Sequence, residues 1–255
     1  MSLDLFDLTG RVALVTGATS GLGHAIARGL GAAGATVVVN GRDAERISGA
    51  VEAFRAEGLQ AFGSRFNVTE ASEIAPEVER IEAEIGPIDI LVNNAGIQRR
   101  APMLGMDPTT FEEVVRTNLT GVFLVARAVA RGMVERRRGK IINIASLTSE
   151  VARKTIAPYT AAKGAVKQLT KAMCVEWAAS NVQVNAIGPG YFVTELNKAL
   201  VEDAAFNKWV CSRTPAGRWG RPEELIGAAV FLASPGSDFM NGQTIYVDGG
   251  MLASL

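Results

Sequence analysis

Histidine and cysteine are nearly missing from this chain: one His, His24, and two Cys, Cys174 and Cys211, occur among 255 residues. The two thiols have no metal-binding spacing and are too few for a disulfide framework, so both read as small buried hydrophobes. No other metal-ligating cluster stands out, so no metal is predicted. With a single histidine, placed on a helix surface just after a glycine turn, proton transfer in an enzyme built on this chain falls to some other group. Charge of one sign is lacking as well. The 26 basic and 26 acidic side chains cancel, which argues against nucleic acid as the main partner, because phosphate binding needs a basic excess. No apolar run approaches the roughly 18 residues of a membrane span. The N-terminal "MSLDLFDLTGR" has neither the basic nor the apolar region of a signal peptide. Together these absences point to a soluble, cytoplasmic protein.

What is present is a rhythm. Seven short apolar runs, at 11–17, 35–41, 60–68, 88–96, 140–146, 182–190 and 243–250, read as strands. Most are β-branched, free of charge and closed by Gly, Asn or Ser. Strands that are apolar without alternation suggest a sheet covered on both faces. Helical stretches at 21–33, 43–57, 70–85, 109–137, 159–180 and 222–233 lie between them. That alternation predicts an α/β protein, a parallel, doubly wound sheet in one domain. The segment 191–221 breaks the rhythm with aromatics and reads as a helical substrate lid. Trp209, Arg213 and Trp219 within it read as packing or lid surface.

The first strand runs into "TGATSGLG", Thr16 to Gly23, and a helix follows. Glycines at 17, 21 and 23 let the backbone turn tightly and approach a pyrophosphate at the helix N-terminus. The second strand ends in Asn40-Gly41-Arg42, without the acid that holds a ribose 2′-hydroxyl in NAD-selecting sites. Gly41 is expected to open space and Arg42 to fork onto a 2′-phosphate, which favours NADP over NAD. Asp43 reads as the cap of the next helix.

In "PYTAAKGAVKQLTKA", Tyr159 precedes Lys163 by one helical turn, so both point to one face. A free tyrosine has a pKa near ~10. A neighbouring ammonium favours the phenolate and brings the group toward acid–base work. Ser146, at the carboxyl end of the fifth strand, lies where a crevice is expected and could hold a carbonyl or alkoxide. Asn118 stands inside a long predicted helix, where a water held by it could extend a proton path from Lys163.

In this order, the glycine turn, "NNAG" (93–96), Asn118, Ser146 and the Tyr159–Lys163 pair resemble the short-chain dehydrogenase/reductase family, from Gly10 to about Met251. "PG" (189–190) and the terminal "VDGG" extend the likeness. The resemblance implies a three-layer Rossmann fold with a seven-stranded sheet, commonly assembled as a homotetramer. It implies Asn118, Ser146, Tyr159 and Lys163 as a catalytic tetrad. It also implies cofactor contacts at Gly17, Thr19, Ser20, Gly21, Leu22, Gly23, Arg42, Asn67, Val68, Asn94, Ala95, Gly96, Tyr159, Lys163, Pro189, Gly190 and Thr194. The chain departs at Asn67, where the family usually has Asp beside the adenine; an amide can still hydrogen-bond there.

Within that family, "NNAGIQRRAPM", "PYTAAKGAVKQLTKAM", "PGYFVTELNKALVEDAAF", "RTPAGRWG" and "GSDFMNGQ" look like the gluconate 5-dehydrogenase branch. This implies reversible NADP-dependent oxidation of D-gluconate to 5-dehydro-D-gluconate, with Tyr159 as general acid/base. Three alternatives stay open at this point: a 2-deoxy-D-gluconate 3-dehydrogenase, a 3-oxoacyl-carrier-protein reductase and a non-catalytic NADP-sensing protein. A sugar-acid carboxylate wants a cation, and the expected substrate contacts besides Ser146 and Tyr159 are Arg99, Glu150 and Arg153.

Overall fold

The computed structural model describes residues 4–254; the first three residues of the N-terminal segment read above lie outside that range. Seven strands form one parallel sheet in the order β3-β2-β1-β4-β5-β6-β7. They are β1 (Val12–Val15), β2 (Thr36–Gly41), β3 (Ala61–Arg65), β4 (Ile88–Asn93), β5 (Gly139–Ile144), β6 (Val182–Pro189) and β7 (Thr244–Val247). All seven predicted strands are present, and the fold is the doubly wound α/β domain the rhythm implied.

The lack of alternation has a direct cause. Ala13, Val15, Val37 and Val39 face one core, with α1 (Gly21–Ala32), α2 (Ala44–Ala56) and α9 (Ile226–Ala233). Leu14, Val38, Leu91 and Val184 face the other, with α3 (Ala71–Glu84), α5 (Gly121–Arg136) and α6 (Ala157–Trp177). Both faces of each central strand are buried, so most positions are apolar, and polar residues such as Asn93 and Asn143 occur there with hydrogen-bond partners.

The predicted helix 109–137 is not continuous. It comprises α4 (Pro108–Val115), a π-helical turn at Arg116–Thr120, and α5. Insertions of this kind gather at functional positions, and this one holds Asn118 at its centre. In the 191–221 segment, α7 (Lys198–Glu202) and α8 (Ala204–Arg213) sit on a third apolar cluster of Leu147, Val210, Trp219 and Met251. Trp219 is buried there, with its indole N–H donating to Asn207 Oδ1 at 2.9 Å, while Trp209 is exposed. Both cysteines are only half-buried, short of the expected full burial. His24 is likewise half-buried, its ring 4.6 Å from that of Phe54, so it packs between α1 and α2 and is no free surface group. Among the described residues no helix is long and apolar enough to cross a membrane, and no cluster could hold a metal ion.

Candidate active site

The carboxyl ends of the strands open into one chamber of about 1260 Å³. At its cofactor end, Gly17 and Gly21 have φ of +62° and +61°, a left-handed conformation that favours glycine. They carry the chain from β1 into the N-terminus of α1 at the chamber wall, the kind of position that favours a phosphate. Thr16 and Asn94 lock this turn to β4. The Thr16 hydroxyl accepts from the Asn94 and Ala95 amides at 3.0 and 3.1 Å, and Asn94 Nδ2 donates to the carbonyls of Thr16 and Gly17. Gly23 does not line the chamber. A Cβ there would lie 2.3 Å from Asn94 Nδ2 and 2.6 Å from the Gly17 carbonyl, so this glycine serves close packing behind the turn. Gly23→Ala is therefore expected to lower stability by about 1–3 kcal/mol, read as a fall in Tm with the fold retained. An unchanged Tm would show that Asn94 can move aside freely.

Gly41 behaves differently from the expectation. A Cβ at this position would stand 2.9 Å from Thr19 Cγ2 and 3.2 Å from Ile47, so glycine fits a crowded contact here and opens no space. Arg42 does line the chamber, and with it Arg46 and Arg65, two guanidiniums the sequence reading passed over. Arg65 Nε donates to the Arg42 carbonyl at 3.0 Å and Arg46 donates to the Ser20 hydroxyl at 3.3 Å. Asp43 caps α2 as predicted, accepting from the Glu45 and Arg46 amides. Asn67 lines the chamber with Val68, its Oδ1 accepting from the Thr69 amide at 3.2 Å. Leu22, Gly96, Pro189, Gly190 and Thr194 line it too.

At the other end, Ser146 follows β5 and caps a single turn at Leu147–Ser149, its Oγ accepting from the Thr148 amide at 3.2 Å. The Ser149 hydroxyl donates to the Lys163 carbonyl at 2.7 Å, tying that turn to α6. Tyr159 and Lys163 share one face of α6, with the ammonium 5.6 Å from the tyrosine ring centroid. Lys163 is 3 % exposed and donates to the Ile144 carbonyl at 2.5 Å. Burial alone lowers its pKa to about 8. Burial also raises the Tyr159 pKa, as the chief cause, while Ser146 pulls it down and Tyr191 adds a smaller push upward. Within the protein alone, then, burial outweighs the neighbouring ammonium and the phenol is held protonated.

Asn118 is fully buried and commits both ends of its amide to Ile97: Oδ1 accepts from the Ile97 amide at 2.8 Å and Nδ2 donates to its carbonyl at 2.9 Å. Its side chain thus braces the β4–α4 loop, where a water-holding role was expected. A buried ladder supports the same wall: Asn93 Nδ2 to Asn143 Oδ1 at 2.9 Å, then Asn143 Nδ2 to the Thr170 hydroxyl at 3.0 Å.

Two expected substrate contacts fall outside the chamber lining. Arg99 is turned to Glu113, which it meets at 2.8 Å on the surface. Glu150 is engaged by the Lys167 ammonium and accepts from the Tyr246 hydroxyl at 2.5 Å. Arg153 lines the chamber as expected, and so do Arg100 and Tyr191, which the sequence reading did not select.

The family described as enoyl-(acyl carrier protein) reductase matches residues 17–252. Over 252 residues, and 99% of each chain, the protein is 57% identical to the 5-keto-D-gluconate 5-reductase of Escherichia coli (strain K12). It is 51% identical to the 2-dehydro-3-deoxy-D-gluconate 5-dehydrogenase of Formosa agariphila, covering 100% of this chain and 97% of that one. A crystal structure of a gluconate 5-dehydrogenase from Burkholderia cenocepacia J2315, in complex with NADP and tartrate, superposes with a TM-score of 0.98 at 55% identity, covering 100% of both chains. With likeness of this extent over its whole length, the chain belongs to the short-chain dehydrogenase/reductase family of oxidoreductases, in the part of it described as enoyl-(acyl carrier protein) reductase.

Proposed function

We propose that the protein catalyses the reversible NADP-dependent oxidation of D-gluconate to 5-dehydro-D-gluconate. One observation carries the reading: Ser146, Tyr159 and Lys163 line the same chamber as the glycine turn and a group of three arginines. The residues fit NADP. The turn keeps side chains away from a pyrophosphate, and Arg42, Arg46 and Arg65 offer forked donors to a doubly charged 2′-phosphate. The names of the Escherichia coli and Burkholderia relatives support the substrate, and the NADP held by the latter supports the cofactor. A second reading, oxidation of the same carbon in 2-dehydro-3-deoxy-D-gluconate, is favoured by the Formosa relative.

When bound, the nicotinamide accepts hydride in the oxidation and donates it in the reduction. Tyr159 takes the proton of the C5 hydroxyl in one direction and returns it to the ketone oxygen in the other. Ser146 donates a hydrogen bond to that oxygen, steadying the charge that grows on it. Lys163, anchored on Ile144, keeps a positive charge beside the phenol and favours its ionised form. The 191–221 segment covers the substrate end of the chamber and acts as a lid that limits water there.

Oxidation of NADPH by the purified protein tests the reading, with 5-keto-D-gluconate compared against 2-keto-D-gluconate, 2-dehydro-3-deoxy-D-gluconate and an acetoacetyl thioester. Selective turnover of 5-keto-D-gluconate is expected. Turnover of the thioester alone would move the substrate to acyl chemistry. For the cofactor, Arg42→Ala is expected to raise KM for NADPH by at least ~10-fold and leave KM for NADH unchanged. Equal effects on both cofactors would remove Arg42 from the 2′-phosphate. Assembly as a homotetramer belongs to the same proposal, supported by the exposed Phe111, Phe123 and Val175 on successive helices; light scattering checks it.

A further inference from the structure

Beyond Ser146 and Tyr159 the chamber wall carries two further guanidiniums, Arg100 from the β4–α4 loop and Arg153 from the β5–α6 loop. Among the described residues neither has a carboxylate partner or donates a hydrogen bond. Arg153 Nε is buried and without an acceptor. That one N–H is costly to leave unpaired until something accepts from it. The rest of the Arg153 side chain is half-buried, and Arg100 is exposed to the solvent that fills the chamber. Glu195 lines the same chamber but is exposed and pairs with neither arginine.

The two loops are nevertheless held together. The Ala101 amide donates to the Thr155 carbonyl at 3.1 Å, and Thr155 takes a φ of +71°, a left-handed conformation rare for a β-branched residue. Such strain persists where the surroundings impose it, and it gathers at binding sites. Arg153 also lies over the Phe206 ring, 5.0 Å from its centroid, and Phe206 stands edge-on to Tyr191 at 5.7 Å. Arg100 and Arg153 are close enough to act on one another, since the charge of Arg153 adds to burial in lowering the Arg100 pKa. Both arginines likewise lower that of Tyr191, against a larger rise from its burial. Two like charges so placed, beside a phenol and with no acid between them, make a receptor for an anion.

We infer that Arg100 and Arg153 form a clamp for the carboxylate of the substrate, with Tyr191 at its side, and that this clamp selects sugar acids over neutral sugars. The inference rests on the sugar-acid reading above. A six-carbon acid that reacts at C5 carries its charge at the far end of the molecule, so the cations that read it must come from loops beside the tetrad. Guanidinium forks match the planar, two-oxygen geometry of a carboxylate.

Arg100→Gln and Arg153→Gln, singly and together, test this with 5-keto-D-gluconate and a neutral ketose as substrates. D-Gluconate binding to the NADPH-loaded protein is followed in parallel by calorimetry. Each change is expected to raise KM for the acid by ~10-fold or more, with a smaller effect on kcat and none on the neutral ketose. Lysine at either position should restore part of the loss. Equal losses on acid and neutral substrates, or an unchanged KM for the acid, would overturn the clamp. If the unaltered protein turns over no sugar acid, the functional reading fails on its own account and calorimetry still decides. D-Gluconate binding that disappears in the glutamine variants supports the clamp, and binding that is absent or indifferent to them overturns it.

Discussion

Replacement of Tyr159 by Phe is expected to lower kcat by roughly 1,000-fold while NADPH binding, followed by fluorescence titration, stays within a factor of ~2 of the unaltered protein. The ring lines the chamber beside Lys163, and phenylalanine keeps that ring. Only the hydroxyl is lost, and with it the group that moves the proton. Ser146 cannot replace it, because an aliphatic hydroxyl is too weak an acid. The single histidine packs against Phe54, away from the chamber lining. The pH dependence follows from the same group. Oxidation needs ionised Tyr159, and burial opposes ionisation, so the oxidation rate should climb from neutral toward alkaline pH. Reduction needs the protonated phenol, already the dominant form, so its rate should be flat over that range and fall only at high pH. Turnover retained in the Phe variant, or an oxidation rate that falls as pH rises, would sink the proton-transfer assignment.

The sequence was most legible where backbone rules act alone. Uninterrupted β-branched runs meant a sheet buried on both sides, and the glycines at 17 and 21 meant a turn that only glycine takes comfortably. Tyr159 and Lys163 were legible because four residues is one helical turn. What failed depended on direction and on partners distant in the chain. Arg99 and Arg100 are neighbours in a loop, and no periodicity says which one faces inward. Glu113 on α4 decides it by pairing with Arg99. Glu150 was lost to Lys167 and to Tyr246, the latter 96 residues away. Gly41 seemed to make room until the contact with Thr19, across the glycine turn, showed that it merely fits. Asn118 was placed correctly, but its buried amide closes on Ile97, a pairing no local rule predicts. One available signal for the π-helical turn was the Asn within a long apolar helix, since Asn disfavours regular helix and invites local backbone bonding.

Lys163→Met carries the second large effect, in two opposite directions. The folded protein holds this ammonium at a pKa of about 8, against 10.5 for the free side chain, through burial alone. Between those values the unfolded chain binds the proton and the folded chain has released it, so stability rises with pH through that window. Below it the full cost of the buried charge persists, about 3 kcal/mol for a shift of this size. Methionine keeps most of the apolar stem and removes the charge. It also leaves the Ile144 carbonyl without its donor, which returns about 1–2 kcal/mol of that gain. At neutral pH the variant should therefore be at least as stable as the unaltered protein, with an equal or higher Tm, and its advantage should shrink as the pH approaches that of free lysine. Turnover should fall by roughly 100-fold or more, because the charge that favours the phenolate is gone. A variant clearly less stable at neutral pH would mean that the bond to Ile144 outweighs the burial of the ammonium. One that kept its turnover would mean that Tyr159 needs no cation beside it. Higher stability together with lost turnover would identify Lys163 as a charge retained for the chemistry at the expense of the fold.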